Sequence, residues 1–100
     1  MKSGYSIFWT ENALNELSDA ISYLERNFTE KEIKKLVKHI ENTLELISRD
    51  PNIFPKSEIK NIHKVVILKF NTLYYRTKYE QIQILSFFSN RQSFSKIKLK

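Results

Sequence analysis

Residues 62–88, IHKVVILKFNTLYYRTKYEQIQILSFF, decide the fold. β-branched and aromatic residues crowd three runs here, Ile62 to Phe70, Thr72 to Thr77 and Gln81 to Phe88, and this composition predicts strands. Asn71 separates the first pair and Lys78 to Glu80 the second. Connections that short predict antiparallel hairpins or a meander. In the middle run, period-two alternation puts Leu73 and Tyr75 on one face and Thr72, Tyr74 and Arg76 on the other. Leu73 and Tyr75 are the natural core pair, so Tyr74 and Arg76 should look away from it. The last run is ambiguous, because Ile82 and Ile84 share one parity while Leu85 and Phe87 share the other.

Upstream the period changes from two to 3.6. Tyr5 to Trp9 reads as a short first strand, and Thr10 offers an N-cap, with Glu11 in the first turn where the helix dipole favours negative charge. Leu14, Leu17, Ile21, Leu24 and Phe28 follow at steps of three and four and predict one apolar stripe. Thr29-Glu30-Lys31-Glu32 has the form of a capping box. Behind it Ile33, Leu36, Val37, Ile40, Leu44 and Ile47 make a second stripe, which Asp50-Pro51 closes. Asn27 is the break between the two helices, and so short a connection predicts an antiparallel helical hairpin. Trp9 and Phe28 are expected in the core. Pro51 to Lys60 reads as irregular loop. The order is β-α-α-β-β-β, an α+β domain with the helical hairpin packed on one face of a small antiparallel sheet. The other face is expected to be open and to carry the function.

With 100 residues the chain has the size of a single domain, taken as 1–100 with a basic tail from about residue 90, and 41% hydrophobic residues suffice for a core. Cysteine is absent, so disulfides, thiol catalysis and thiolate metal sites are excluded, in keeping with a cytoplasmic protein. One glycine, Gly4, leaves no P-loop or dinucleotide fingerprint. Two histidines, His39 and His63, make a metal site improbable, and no cofactor is expected. No apolar run has the length of a membrane span. The net charge of +6 is unevenly spread: residues 1–58 hold 8 basic and 10 acidic side chains, residues 59–100 hold 9 basic and 1 acidic. The second part thus presents a field that an anionic partner, nucleic acid first, would feel.

The order of elements resembles the RelE/ParE superfamily of bacterial toxin–antitoxin toxins. Four segments carry the resemblance: Trp9-Thr10 leading into Ala13-Leu14-Asn15-Glu16-Leu17; Leu44 to Pro51 at the end of the second helix; Leu73-Tyr74-Tyr75-Arg76; and the last strand running into Asn90-Arg91-Gln92. Tyr75-Arg76 and Arg91-Gln92 look closer to the ParE-like branch. The resemblance implies a growth-arresting toxin neutralised by a cognate antitoxin. Its target would be DNA gyrase, or the ribosome with its mRNA. In the ribonuclease branch the mRNA 2′-OH attacks the neighbouring phosphate without a metal, which takes a base, an acid and cations.

Carried over residue by residue, that branch implies catalytic roles for Arg91, Lys64 and Tyr74. Arg76, His63, Lys96 and Lys98 are the candidates for nucleic-acid or target binding. Thr72 stands where a RelE-type enzyme carries its central arginine, and Phe94 or Ile97 where it carries a late aromatic or histidine, so the RNA-cleaving set is incomplete. Plainer roles stand beside these: Arg76 could pair with Glu80 across the hairpin, Tyr74 could be a half-buried strand aromatic, and a lone strand histidine such as His63 is more often structural. A non-catalytic nucleic-acid-binding module and a relic that only binds its antitoxin are the competing functions.

Overall fold

In the computed structural model, residues 4–89 are described. Strand β1 (Ser6–Trp9) leads through Thr10 into helix α1 (Glu11–Asn27), then helix α2 (Glu30–Arg49). Strands β2 (His63–Ile67), β3 (Asn71–Lys78) and β4 (Gln81–Ser89) follow. The helices lie on one face of a four-stranded sheet of order β1-β4-β3-β2. The expected α+β layout and element order are thereby present. The sheet, however, is mixed: β2–β3 and β3–β4 are antiparallel, but β1 runs parallel to β4.

The reason for the parallel pair lies at Thr10. Its hydroxyl accepts from the Ala13 amide and donates to the Ile84 carbonyl at 2.8 Å. With a single residue between strand and helix there is no room for a reversal, so α1 carries on in the direction of β1. Asn12 donates to the Leu85 carbonyl, and Glu16 accepts from Ser86 and from the Phe87 amide at 2.8 Å. The helix therefore climbs alongside β4. Helix α2 brings the chain back, and its Ser48 carbonyl accepts from the Tyr5 amide. Gly4 precedes that contact with φ +122°, and a Cβ there would lie 2.8 Å from the Ser48 oxygen. Glycine alone fits so close an approach in this conformation.

The expected helix ends fall as read, at Asn27 and at Asp50. Thr29 is the N-cap of α2, yet its side chain makes no capping bond. The core stripe of α1 is rotated from the leucine register: Ala13, Ala20 and Leu24 are buried while Leu14 is exposed. Small alanines let the helix sit close to the sheet, which turns Leu14 outward. Phe28, expected in the core, is exposed against Tyr23 at the helix end. Trp9 is partly buried and packs on the core, where Leu36, Ile40 and Ile47 of α2 meet Leu73 and Tyr75.

The β2–β3 turn also differs from expectation. Strand β2 ends at Ile67, Leu68 and Lys69 turn with positive φ, and Asn71 belongs to β3 instead of separating the strands. Buried Asn71 donates from its side chain to the Ile67 carbonyl and holds the turn. The ambiguous strand is settled by a bulge. Tyr74 pairs with Ser86 but Tyr75 with Ile84, so Leu85 is an extra residue. That one insertion flips the parity and lets Ile82, Ile84 and Phe87 all face the core. No helix among the described residues is long and apolar enough to cross a membrane.

Candidate functional site

The open face is built by the alternation of β3. Leu73 and Tyr75 are fully buried toward the helices, so Thr72, Tyr74 and Arg76 point the other way, as the alternation predicts. The register sets Lys64 beside Tyr74, and Val66 and Phe88 on either side of Thr72. Two zones result. One is apolar: Val66 and Phe88 are exposed and flank Thr72, which is only 7% exposed. The other is polar, with Lys64, Tyr74, Arg76 and Gln83.

Within the polar zone each cation is already engaged. The Lys64 ammonium lies 3.5 Å from the Glu58 carboxylate. The Glu58 carboxyl titrates below its ordinary range, chiefly through its own backbone N–H and then through the charge and hydrogen bond of Lys64. Arg76 donates from Nε to Gln83 Oε1 at 2.8 Å, so its partner across the hairpin is Gln83 and not Glu80. Tyr74 is half-buried.

His63 sits differently from the other candidates. It pairs with Tyr75 in the register and so lies on the helix side of the sheet, 7% exposed. Its ring stacks on Tyr75 at 5.1 Å between centroids, and its Nδ1 lies 2.8 Å from the Phe54 carbonyl. Since a carbonyl only accepts, Nδ1 carries the proton and Nε2 is the nitrogen left over. The Tyr75 hydroxyl donates to the Pro51 carbonyl at 2.8 Å. Burial pushes its pKa up to about 12, helped by the nearby Asp50 charge and opposed by a backbone hydrogen bond from Phe54. Together His63 and Tyr75 anchor the loop between α2 and β2 beneath the sheet.

That loop and the end of β3 enclose a groove of about 390 Å³, lined by Asn52, Lys56, Asn61, His63 and the segment Arg76–Lys78. Arg76 and His63, chosen separately from the sequence, meet here. Lys64 and Tyr74 form a neighbouring pair on the open face. Arg91, Lys96 and Lys98, with Phe94 and Ile97, lie outside the described residues. Lys56, Lys78 and the two asparagines carried no sequence signal, because a loop has no period that fixes which side chains converge. Among the described residues no cluster of His, Asp and Glu could hold a metal ion.

The family model described as "ParE toxin of type II toxin-antitoxin system, parDE" matches residues 7–94. Among curated proteins, none matches. Among solved structures, a chain of the chromosomal ParDE TA system from P. aeruginosa is similar, with TM-score 0.71 and 19% identity over 85% of this chain and 95% of that one. The YoeB/ParE toxin from Agrobacterium tumefaciens superposes with TM-score 0.62 at 13% identity, covering 84% of this chain and 96% of its own. The YoeB dimer from Staphylococcus aureus gives TM-score 0.59 and 21% identity, covering 84% and 94% respectively. These likenesses carry the fold; the family rests on the match over residues 7–94.

Proposed function

The chain belongs to the ParE toxin family of type II toxin–antitoxin systems, and from that premise we propose that it arrests growth by acting on DNA gyrase in the cytoplasm. A cognate antitoxin holds it in check. The observation that carries the choice of target is Thr72. It occupies the middle of the open face between Val66 and Phe88, where phosphodiester cleavage would call for a cation to stabilise the extra phosphate charge. A threonine shielded by two apolar neighbours supplies none. The antitoxin, on this reading, presents an acidic segment to the basic part of the chain, which speeds association and masks the field.

A second reading, ribosome-dependent mRNA cleavage, is favoured by one contact: Lys64 and Tyr74 stand side by side in register, a cation next to a group able to give a proton. On that reading Arg91, Lys96 and Lys98 bring further positive charge to the phosphates. The deciding experiment doses purified protein into two assays, gyrase supercoiling and cell-free translation with primer extension. Lost supercoiling with intact message supports the gyrase reading. Cuts within ribosome-bound codons sink it and install mRNA cleavage, with Arg91→Ala as the next variant. Normal output in both, with antitoxin still bound, leaves a relic.

A further inference from the structure

Strand β3 runs past its last partner in β2, since Tyr75 pairs with His63 and nothing in β2 faces Arg76, Thr77 or Lys78. Across that open strand edge lies the loop carrying Asn52, Lys56 and Asn61, and the two walls bound the groove of about 390 Å³. Three of its lining residues, Lys56, Arg76 and Lys78, are cationic, and none is acidic. The acids nearest in sequence, Asp50, Glu58 and Glu80, do not line it; Glu58 pairs with Lys64, and the Asp50 carboxylate accepts from the backbone N–H of Asn52 at its rim. Three like charges gathered in one groove with no counter-charge repel one another, and an anion would relieve that repulsion.

The lining also says what kind of anion. Arg76 is held in plane by its Nε bond to Gln83, and among the described residues its terminal nitrogens have no bond that would compete for a ligand. A guanidinium fork fits the paired oxygens of a phosphate. Asn52 and Asn61 add amide N–H donors at the opposite wall, and Asn61 takes its place there with φ 63°, a conformation asparagine tolerates better than most residues. Every lining residue is polar or charged and no aliphatic or phenyl side chain is among them, so an acyl chain would find little to pack against and charge dominates the recognition. We propose that this groove binds a short run of linked phosphates, of a free oligophosphate or of a nucleic-acid backbone. The inference stands apart from the choice of growth-arrest target, and its failure would leave that reading untouched.

The test titrates the full chain, at low salt, with sodium tripolyphosphate and separately with an octathymidylate strand. Affinity is read by calorimetry and contacts by NMR of the Asn52 and Asn61 side-chain amides and the Arg76 Nε–H. Both side-chain amides should shift with saturable binding. Lys56→Ala/Lys78→Ala should weaken binding by on the order of tenfold, while the equal charge loss of Lys35→Ala/Lys38→Ala on α2 should change it only about twofold. Tighter binding of tripolyphosphate assigns a free oligophosphate, tighter binding of the strand assigns nucleic acid, and either supports the site. Equal loss in the two double variants, or unmoved Asn52 and Asn61 amides in the wild type, overturns it.

Discussion

Glu16 does a strand's work from a helix. Beyond the end of β1 the outer edge of β4 would be bare, and this carboxylate accepts from the Phe87 amide and from the Ser86 hydroxyl. Removing it leaves a partly buried N–H without its acceptor, which costs about 1–3 kcal/mol. Glu16→Ala should therefore lower stability by that amount in urea unfolding, and Glu16→Gln, which keeps an acceptor oxygen, by clearly less. Gly4 is as exacting: Gly4→Ala puts a methyl against the Ser48 carbonyl at a positive φ and should destabilise by about 1–3 kcal/mol. Tyr75 makes stability sensitive to alkali. Its pKa is pushed up to about 12 by burial in the folded chain and is about 10 when unfolded. The unfolded state thus loses its proton first, and stability is fully present below pH 10 and lost as pH rises toward 12. Melting temperature against pH should fall in that window, and Tyr75→Phe should flatten the fall. The burial of Tyr75 was legible from the alternation of β3, but the roles of Glu16 and Gly4 were not: in the sequence Glu16 is one more exposed-looking helix residue and Gly4 an isolated glycine near the start.

Among the elements, two N-cap threonines look alike in sequence and differ in place. Thr10 bonds both the Ala13 amide and the Ile84 carbonyl, whereas the Thr29 side chain caps nothing. Thr10→Ala should cost about 1–2 kcal/mol, and Thr29→Ala should leave thermal stability nearly unchanged. The bulge makes a sharper test. Deleting Leu85 restores plain alternation and would turn either Phe87 or the Ile82–Ile84 pair to the open face. Losing the burial of one large core side chain costs about 3–5 kcal/mol, so the deletion should abolish cooperative unfolding by circular dichroism. The helices were legible because an apolar stripe at 3.6 spacing is a local property, as were their ends at Asn27 and Asp50. The rotation of the α1 stripe toward Ala13 and Ala20 was not, since alanines become core residues only when another surface comes close enough to need them.

At the scale of the whole molecule, charge and packing divide the labour. The first 58 residues carry a net −2 and residues 59–100 carry +8; among the described residues the first part supplies both helices and the second three of the four strands. If the antitoxin presents the acidic segment proposed above, association should be steered by charge, its rate constant falling on the order of tenfold between about 0.05 and 0.3 M salt in stopped-flow mixing. A salt-independent rate would mean that the contact is made elsewhere, on the exposed apolar residues. By itself the sequence determined the order of elements, the two helices and their ends, the facing of β3 and the concentration of positive charge, because each depends on neighbours a few positions apart. Tertiary structure alone decided the parallel pairing of β1 with β4, the bulge at Leu85, the inward turn of His63 and the convergence of Lys56 and Asn61 with Arg76 and Lys78. The physical reason is distance along the chain. Thr10 and Ile84 are 74 residues apart, and no local period records which distant strand, carbonyl or loop a residue will meet once the core has closed.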